Sequence, residues 1–383
     1  MILRSPLLFV CSLLVLSFFV SCSSNSEPYD SLATGEVTIS SLMQLDGGDE
    51  LVIGNINQVE ITDEGTILML DTQQLKIHLF DSEGNFIRSA LTEGEGPGEV
   101  RRIGRMSYSN DIVQIYDWSQ RKLSQFRLKS NEQNENSQLV FVQDFRPEFY
   151  PNEFHISPEN VNYVLVNPEP IEEEGMIKIQ SLSQDGELNG DPSLSFPENE
   201  TIEIRNDQGQ LRVTFSSPHS RQIIPVFHED KLFIGRSERI GFEIYDLSTG
   251  SQIDSVAFNR PEIELTSGEK REFLEEMTTR MGMEQADLTS LISQMPDLKG
   301  KVRNMHYDPD GVIWQNLIGD ETDETPEWLL LSEEGELLGK VSDEFEGPVM
   351  SVKSGKVYVR ESTEEGYPPD QPHVGFTQSI GYG

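Results

Sequence analysis

Short strand-like runs separated by tight turns recur along most of this sequence, and no other feature constrains the fold as strongly. Residues 59–88 form one unit, in which four runs rich in Ile, Leu and Phe are joined by turns such as Asp-Glu-Gly and Glu-Gly-Asn. Short apolar runs bounded by such turns predict antiparallel β-strands. Four of these strands have the composition of one propeller blade.

The unit recurs five more times. The later units occupy residues 103–145, 152–188, 223–258, 302–341 and 349–380. The last unit is short of strands, and the run at residues 36–42 is free at the other end of the body. Pairing that run with the last unit would close the ring and leave no exposed sheet edge. The sequence therefore predicts an all-β fold, a six-bladed β-propeller over residues 36–383.

One segment breaks the strand pattern. Residues 266–269 read Thr-Ser-Gly-Glu, the pattern of an N-terminal capping box, and apolar residues follow at spacings of three, four and seven as far as Pro296. This pattern predicts a helical insertion over residues 266–296, made of one or two amphipathic helices. Packing against the propeller is the ordinary role of such a Met-rich stripe. A lid over one face of the ring is the functional alternative.

The amino terminus indicates export. Arg4 precedes an apolar run at residues 7–19, which is too short to span a bilayer and predicts a signal peptide over residues 1–21. The run ends in Phe-Val-Ser-Cys, which resembles a bacterial lipobox. That resemblance implies cleavage before Cys22 and acylation of this cysteine. An ordinary signal peptide with an incidental cysteine is the alternative.

The cysteine count agrees with a lipid anchor. Cys11 and Cys22 are the only cysteines, and cleavage would remove the first with the signal. The mature body would then lack a thiol, which excludes thiol catalysis and zinc held by cysteine. Residues 22–35 would form a flexible tether between the acyl chains and the body. We expect a protein of the cell envelope, anchored at the outer membrane and facing either side.

The chain is strongly acidic. It carries 66 Asp and Glu against 29 Lys and Arg, a formal net charge of -37. Nucleic acid is therefore excluded as a partner, because phosphate binding needs a dense basic face. A polybasic contact with anionic lipid is excluded for the same reason. Contact with the membrane is expected through the lipid anchor.

A glycine-rich motif lies between the first two units. It reads Gly-Glu-Gly-Pro-Gly-Glu, and its characteristic residues are Gly94, Gly96, Pro97, Gly98 and Glu99. With the lipobox, the unit count and second strands that end in Asp, the motif resembles the six-bladed β-propeller lipoproteins of Bacteroidota, which are related to NHL-type propellers. That resemblance implies a fold and no particular activity. A turn between blades is favoured over a phosphate-binding loop, since neither Lys-Ser/Thr nor a helix pattern follows.

Three polar residues occupy one register position in the innermost strand of their units. Counting back four residues from the turns gives Glu60, His155 and His306, and the same count gives Met106 in the second unit. Strand residues in one register point the same way, so we expect the three polar side chains to line the central channel. Ordinary solvated polar residues are the alternative interpretation.

Two functions are consistent with these features, since no catalytic signature such as a nucleophile elbow or His-Glu-x-x-His occurs. The first is a non-enzymatic anchored scaffold that binds a glycan, a peptide or a partner protein and needs no cofactor. The second is an NHL-like metal-assisted lyase or hydrolase that uses the channel histidines, with zinc or calcium bound. Trp118, Trp314 and Trp328 are candidates for stacking on sugars, with packing between blades as the alternative.

Overall fold

A computed structural model gives the architecture. It describes residues 27–28, 39–45 and 51–380, with gaps at 130–136, 168–174, 184, 207, 284–285, 320–326, 343–344, 346 and 361–373. The signal peptide, Cys22 and most of the tether lie outside the described residues.

Five sheets are each built around four strands that are consecutive in the chain. Blade 1 contains β3 (Ile56–Ile61), β4 (Ile67–Asp71), β5 (Lys76–Phe80) and β6 (Phe86–Ala90). Blade 2 contains β9 (Ile103–Ser109), β10 (Ile112–Asp117), β11 (Lys122–Lys129) and β12 (Gln138–Phe145). Blade 3 contains β13 (Pro151–Ile156), β14 (Asn162–Val166), β15 (Met176–Leu182) and β16 (Leu188–Pro197).

Blades 4 and 5 follow the same order. Blade 4 contains β19 (Ile223–His228), β20 (Lys231–Arg236), β21 (Arg239–Asp246) and β22 (Gln252–Asn259), with β1 (Glu27–Pro28) added in parallel to β22. Blade 5 contains β23 (Val302–Asp308), β24 (Val312–Leu317), β25 (Glu327–Ser332) and β26 (Leu337–Ser342). Each of the five blades is an antiparallel meander, as the turn-rich sequence predicts.

The sixth sheet joins the two ends of the chain. It contains β27 (Val349–Lys353), β28 (Lys356–Val359), β29 (Val374–Ile380) and β2 (Ile39–Leu45), and β2 pairs antiparallel with β29. The described closing strand contains residues 39–42 of the predicted run at 36–42, and residues 36–38 lie outside the described residues. The inner strands contact one another around the ring, β3 with β9 and β27, β9 with β13, and β23 with β19 and β27. The predicted propeller is confirmed.

The hydrophobic core lies between blades. Separate clusters of buried apolar side chains fill the contacts of blades 1 and 2, 2 and 3, 3 and 4, and 4 and 5, and one larger cluster joins blades 5 and 1 with the sixth sheet. The second and third strands of a blade are almost fully buried; Ile67–Asp71 has no exposed residue. Because both faces of a blade pack against neighbours, a second strand such as β4, which reads Ile-Leu-Met-Leu-Asp, is almost continuously apolar instead of alternating.

Small elements connect the blades. They are β7 (Thr92–Glu93), β8 (Glu99–Val100), β17 (Ile202–Arg205), β18 (Leu211–Phe215), α1 (Ser267–Arg280) and α2 (Leu288–Ile292). Thr266 caps α1 and forms the predicted capping box with Glu269. The apolar faces of α1 and α2 pack on the β17–β18 hairpin. The insertion thus packs through its apolar residues, as predicted, but its partner is a hairpin that the sequence analysis did not identify. Within the described residues, no helix combines the length and the apolar character that a bilayer crossing requires.

Aspartates at the ends of second strands tie the blades to the linking chain. Asp71 accepts backbone N–H bonds from residues 54, 55, 73 and 74, at 2.5 to 3.1 Å. Asp117 accepts four in the same way, from residues 101, 102, 119 and 120, at 2.5 to 3.2 Å. Each carboxylate therefore holds both its own turn and the chain that enters the blade.

Candidate functional site: the axial cavity

A cavity of about 680 Å³ lies on the propeller axis. All six inner strands, β3, β9, β13, β19, β23 and β27, contribute to its wall, together with the turns that follow several of them. Its volume lies within the range of pockets that hold small molecules, short peptides or short glycans. Strands alternate between core-facing and channel-facing side chains, which is why the wall can be polar although the blades are apolar.

The three predicted channel residues all line this cavity. Glu60 lies on β3, His155 on β13 and His306 on β23, in blades 1, 3 and 5. They are spread around the wall: in the described part of the chain, no three His, Cys, Asp or Glu side chains come together in a way that could hold a metal ion. Met106 also borders the cavity, but it is 1% exposed and belongs to the core between blades 1 and 2.

His155 connects blades 3 and 4. Its Nε2 lies 2.7 Å from the carbonyl oxygen of Glu229, so Nε2 carries the proton and donates. Its ring stacks on Phe227 with centroids 5.4 Å apart. Burial lowers the pKa of His155 to about 4, although the bond to the Glu229 carbonyl acts in the opposite direction. The imidazole is therefore neutral at pH 7 and acts as a structural link in the cavity wall.

His306 is also neutral at pH 7. Burial lowers its pKa to about 4. The Asn304 side-chain oxygen accepts a bond from the Met305 N–H at 2.9 Å, so the Asn304 amide nitrogen donates to His306 Nε2 at 3.1 Å. The ring packs against Trp328 with centroids 5.7 Å apart. In both predicted histidines, Nε2 is thus already engaged by the protein.

Glu60 has a different environment. It is half-buried in the wall, and no hydrogen bond or salt bridge to it is formed by the described residues. Burial raises the pKa of Glu60 to about 8, and the negative charge of Glu153 adds to this effect. Lys353 acts in the opposite direction but does not outweigh burial. With no ligand charge acting on it, Glu60 is therefore largely protonated at pH 7.

Two ion pairs complete the charged part of the wall. Arg105 on β9 forms a salt bridge with Glu153 on β13, and its second guanidinium nitrogen lies 3.3 Å from Asn152. Lys353 on β27 donates to Asp63 at 2.6 Å and to the Ile61 carbonyl at 3.0 Å. Burial raises the pKa of Glu153, although Arg105 opposes this effect. Both pairs bridge neighbouring blades.

An aromatic wall, which the register count did not identify, lies on blades 4 and 5. We define it as Phe227, His228 and Tyr307, all of which line the cavity. His228 and Tyr307 pack with ring centroids 4.4 Å apart, and the Tyr307 hydroxyl donates to Glu333 at 2.5 Å. Burial lowers the pKa of His228. The signal that could have found these residues is their position, at the end of an inner strand directly before a polar turn.

The glycine motif forms a tight link between blades 1 and 2. The Glu99 carboxylate folds back and accepts the Gly96 N–H at 2.8 Å, and a Cβ at Gly94 would collide with it. The buried Lys122 ammonium donates to the Gly96 and Glu99 carbonyls at 3.0 and 2.6 Å. Gly98 adopts a positive φ of 70°, which glycine tolerates best. The polar groups of this loop thus bond within the loop, to Lys122, to Gln120 and to the Asp144 carboxylate.

The three tryptophans have different environments. Trp314 and Trp328 are 0% and 3% exposed and pack edge to face in the core between blades, so the suggestion that they stack on sugars is wrong. Large apolar rings are buried in these positions because they fill the space between neighbouring sheets. Trp118 is 41% exposed and stacks on Tyr150 outside the cavity.

The fold and the polar axial cavity define a broad class, the closed β-propellers. Comparison with known proteins identifies the family within that class. The family DUF5128, described as a 6-bladed beta-propeller, matches residues 31–255, which is more than half of the chain. The chain belongs to this family. No curated protein matches its sequence.

Solved structures are similar in fold at low sequence identity. A Bacteroides fragilis protein described as exported has a TM-score of 0.56 at 10% identity, over 93% of this chain and 98% of that chain. A DUF4221 family member from Bacteroides vulgatus has a TM-score of 0.46 at 12% identity, over 92% and 100%. Virginiamycin B lyase from Staphylococcus aureus has a TM-score of 0.36 at 10% identity, over 85% and 82%. At such identities the first likeness supports the fold alone.

Proposed function

We propose that this protein is an exported, lipid-anchored propeller that binds a compact polar ligand, a short glycan or a short peptide, in its axial cavity. The observation that carries the proposal is the cavity wall. It combines polar side chains with the aromatic wall in a space of about 680 Å³, the mixture that orients small polar ligands. Binding is favoured over metal-assisted catalysis because Glu60, His155 and His306 lie on blades 1, 3 and 5, and no three His, Cys, Asp or Glu side chains of the described residues come together as metal ligands.

The rigid architecture supports the same proposal. Inner strands tied by ion pairs and by His155 hold the wall in place, and a preformed wall lowers the entropy cost of ligand binding. The anchor rests on the lipobox-like sequence at Cys22, and the tether that follows would hold the cavity away from the membrane.

The ligand proposal is tested by filling the cavity. Ser351 lies on β27 and lines the cavity, and Ser351→Trp would place a large ring there. Gln208→Trp, on an exposed turn, is the matched control. Trisaccharides and tripeptides of neutral, cationic and anionic character are titrated calorimetrically against the folded variants. We expect 1:1 binding of at least one probe, weakened about tenfold or more by Ser351→Trp only. Absence of binding by every probe, or equal binding by Ser351→Trp, would refute the proposal.

The anchor is tested separately. Labelling of cells with a palmitate analogue should modify the wild type and leave Cys22→Ser unmodified, and the Ser variant should leave the membrane fraction. Labelling that persists in Cys22→Ser would contradict the anchor without affecting the ligand proposal.

A further inference from the structure

The charges in the cavity wall do not balance. Among the described lining residues, four are carboxylates and two are permanent cations: Glu60, Asp63, Glu153, Glu229, Arg105 and Lys353. Both cations are already held by a carboxylate, since Arg105 pairs with Glu153 and Lys353 with Asp63. The wall therefore offers an anionic ligand no uncompensated cation.

Two carboxylates are left over. Neither Glu60 nor Glu229 forms a hydrogen bond or a salt bridge through its side chain with the residues that the structure describes. The histidines do not compensate for them, because burial lowers the pKa of His155, His228 and His306 and keeps their rings neutral at pH 7. An unpaired carboxylate in a partly desolvated wall gains most from a ligand that brings a positive charge and N–H donors.

We propose that the cavity selects a ligand that carries a positively charged amino group, bound by the Glu60 carboxylate with Glu229 close to the mouth. The inference rests on the proposed function and narrows its ligand to amino sugars or to peptides with a basic side chain. The aromatic wall supplies ring faces for the rest of the ligand, and aromatic faces also attract cations. The formal net charge of -37 favours the approach of such a ligand over that of an anion.

Binding of a cation to Glu60 must be coupled to proton release. The pKa of Glu60 is about 8 when no ligand charge acts on it, so the carboxyl is then largely protonated at pH 7. A bound cation favours the ionised form and lowers this pKa, which expels the proton. Affinity should therefore rise with pH by up to about tenfold per unit below pH 8 and level off above it. His155 and His306, with pKa values of about 4, are neutral throughout this range and add nothing to the change.

The test compares probes that differ only in whether their amines are charged, one amine in the peptide pair and three in the sugar pair. The peptide pair is blocked Ala-Lys-Ala and its Nε-acetylated form; the sugar pair is the trimer of glucosamine, at pH 6, and its fully N-acetylated form. The lysine amine has a pKa of about 10.4, so it stays charged from pH 6 to 9. Titration calorimetry on the full-length protein uses Glu60→Gln, Glu229→Gln and, as a matched control, Glu187→Gln on an exposed turn. The two pairs show whether the amine belongs to a peptide or to a sugar.

We expect one charged probe to bind at least tenfold tighter than its acetylated partner. Glu60→Gln should reduce its affinity about 10- to 100-fold, Glu229→Gln should reduce it less, and Glu187→Gln should leave it unchanged. If the charged probe is the peptide, wild-type affinity should rise from pH 6 to 8 while Glu60→Gln gives a flat profile.

Two results would overturn the inference and leave the proposed function standing. In the first, acetylated or anionic probes bind as tightly as the cationic probes. In the second, a cationic probe binds Glu60→Gln as tightly as it binds the wild type. If no probe of any charge binds, the proposed function itself fails.

Discussion

Buried carboxylates at two places in this propeller behave in opposite ways. At the blade ends, the Asp71 and Asp117 carboxylates are fully buried and each accepts four backbone N–H bonds. Burial alone would raise their pKa values, but these hydrogen bonds, with that from His78 to Asp71, keep both below 3.8. In the cavity, no donor among the described residues bonds to the Glu60 side chain, and burial raises its pKa to about 8.

The difference shows that the number of hydrogen-bond donors around a carboxylate, more than its burial, decides whether its pKa is raised or lowered. A carboxylate surrounded by N–H groups is ionised at all ordinary pH values and stabilises the chain around it. A carboxylate without donors destabilises the fold when it ionises, and it is available to a ligand. We therefore assign Asp71 and Asp117 to the fold and Glu60 to the binding site.

The largest expected effect comes from removing a donor-rich carboxylate. Asp117→Ala should lower the free energy of unfolding by about 2–4 kcal/mol, because it leaves N–H groups of the entering chain and the turn without acceptors. Glu60→Gln should change it by less than about 1 kcal/mol at neutral pH, since no bond is lost. Chemical denaturation measures both, with Asp191→Ala on an exposed strand position as the control. A Glu60→Gln variant as unstable as Asp117→Ala would remove the distinction.

The pH dependence of stability should have opposite signs at the two places. The folded pKa of Glu60 lies above its unfolded value of 4.5, so its contribution to stability falls as pH rises from about 4.5 to 8, by at most about 1.4 kcal/mol per unit. Asp117 has a lowered folded pKa, so its contribution is complete above pH 3.8 and is lost as pH falls through the folded pKa.

Unfolding measured from pH 3 to 9 separates these two contributions. His155 and His306, whose folded pKa values of about 4 lie below the unfolded value of 6.5, contribute stability that rises with pH between about 4 and 6.5 in the wild type and in the variant alike. The free energy of unfolding of Glu60→Gln minus that of the wild type should therefore increase from pH 4.5 to 8, while the acid limb due to Asp117 stays the same in both proteins. A difference that stays constant over this range would contradict the raised pKa of Glu60.

The smallest effect concerns the neighbours of Glu60. Glu153→Gln removes a repulsive charge and frees Arg105, so it should lower the pKa of Glu60 by about 0.5 to 1 unit. Lys353→Met should raise it by a similar amount. NMR titration of ¹³C-labelled glutamate follows Glu60 directly, with Glu60→Gln to assign its signal. Shifts of the same sign in both variants would contradict the electrostatic account.

Much of the fold could be predicted, because it is encoded in short segments. The repeated strands, the capping box at Thr266 and the closing role of the N-terminal strand all follow from local patterns. The register count also identified the strands whose side chains line the cavity. At the same register position, Met106 borders the cavity but is buried in the core between blades 1 and 2, because the strand position alone does not say which residues a neighbouring blade will cover. The register count gave no hint of the aromatic wall.

The sequence by itself determined the strand content, the turns, the acidity and the lipobox-like start, since each depends on residue types and on neighbours a few positions away. Only the tertiary structure decided the partners of each charge. Arg105 reaches Glu153 from another blade, two of the N–H groups that hold Asp117 come from the entering chain, and Glu60 meets no donor among the described residues. These contacts depend on how the blades form and close into a ring, and they separate a carboxylate that stabilises the propeller from the one that we propose binds a ligand.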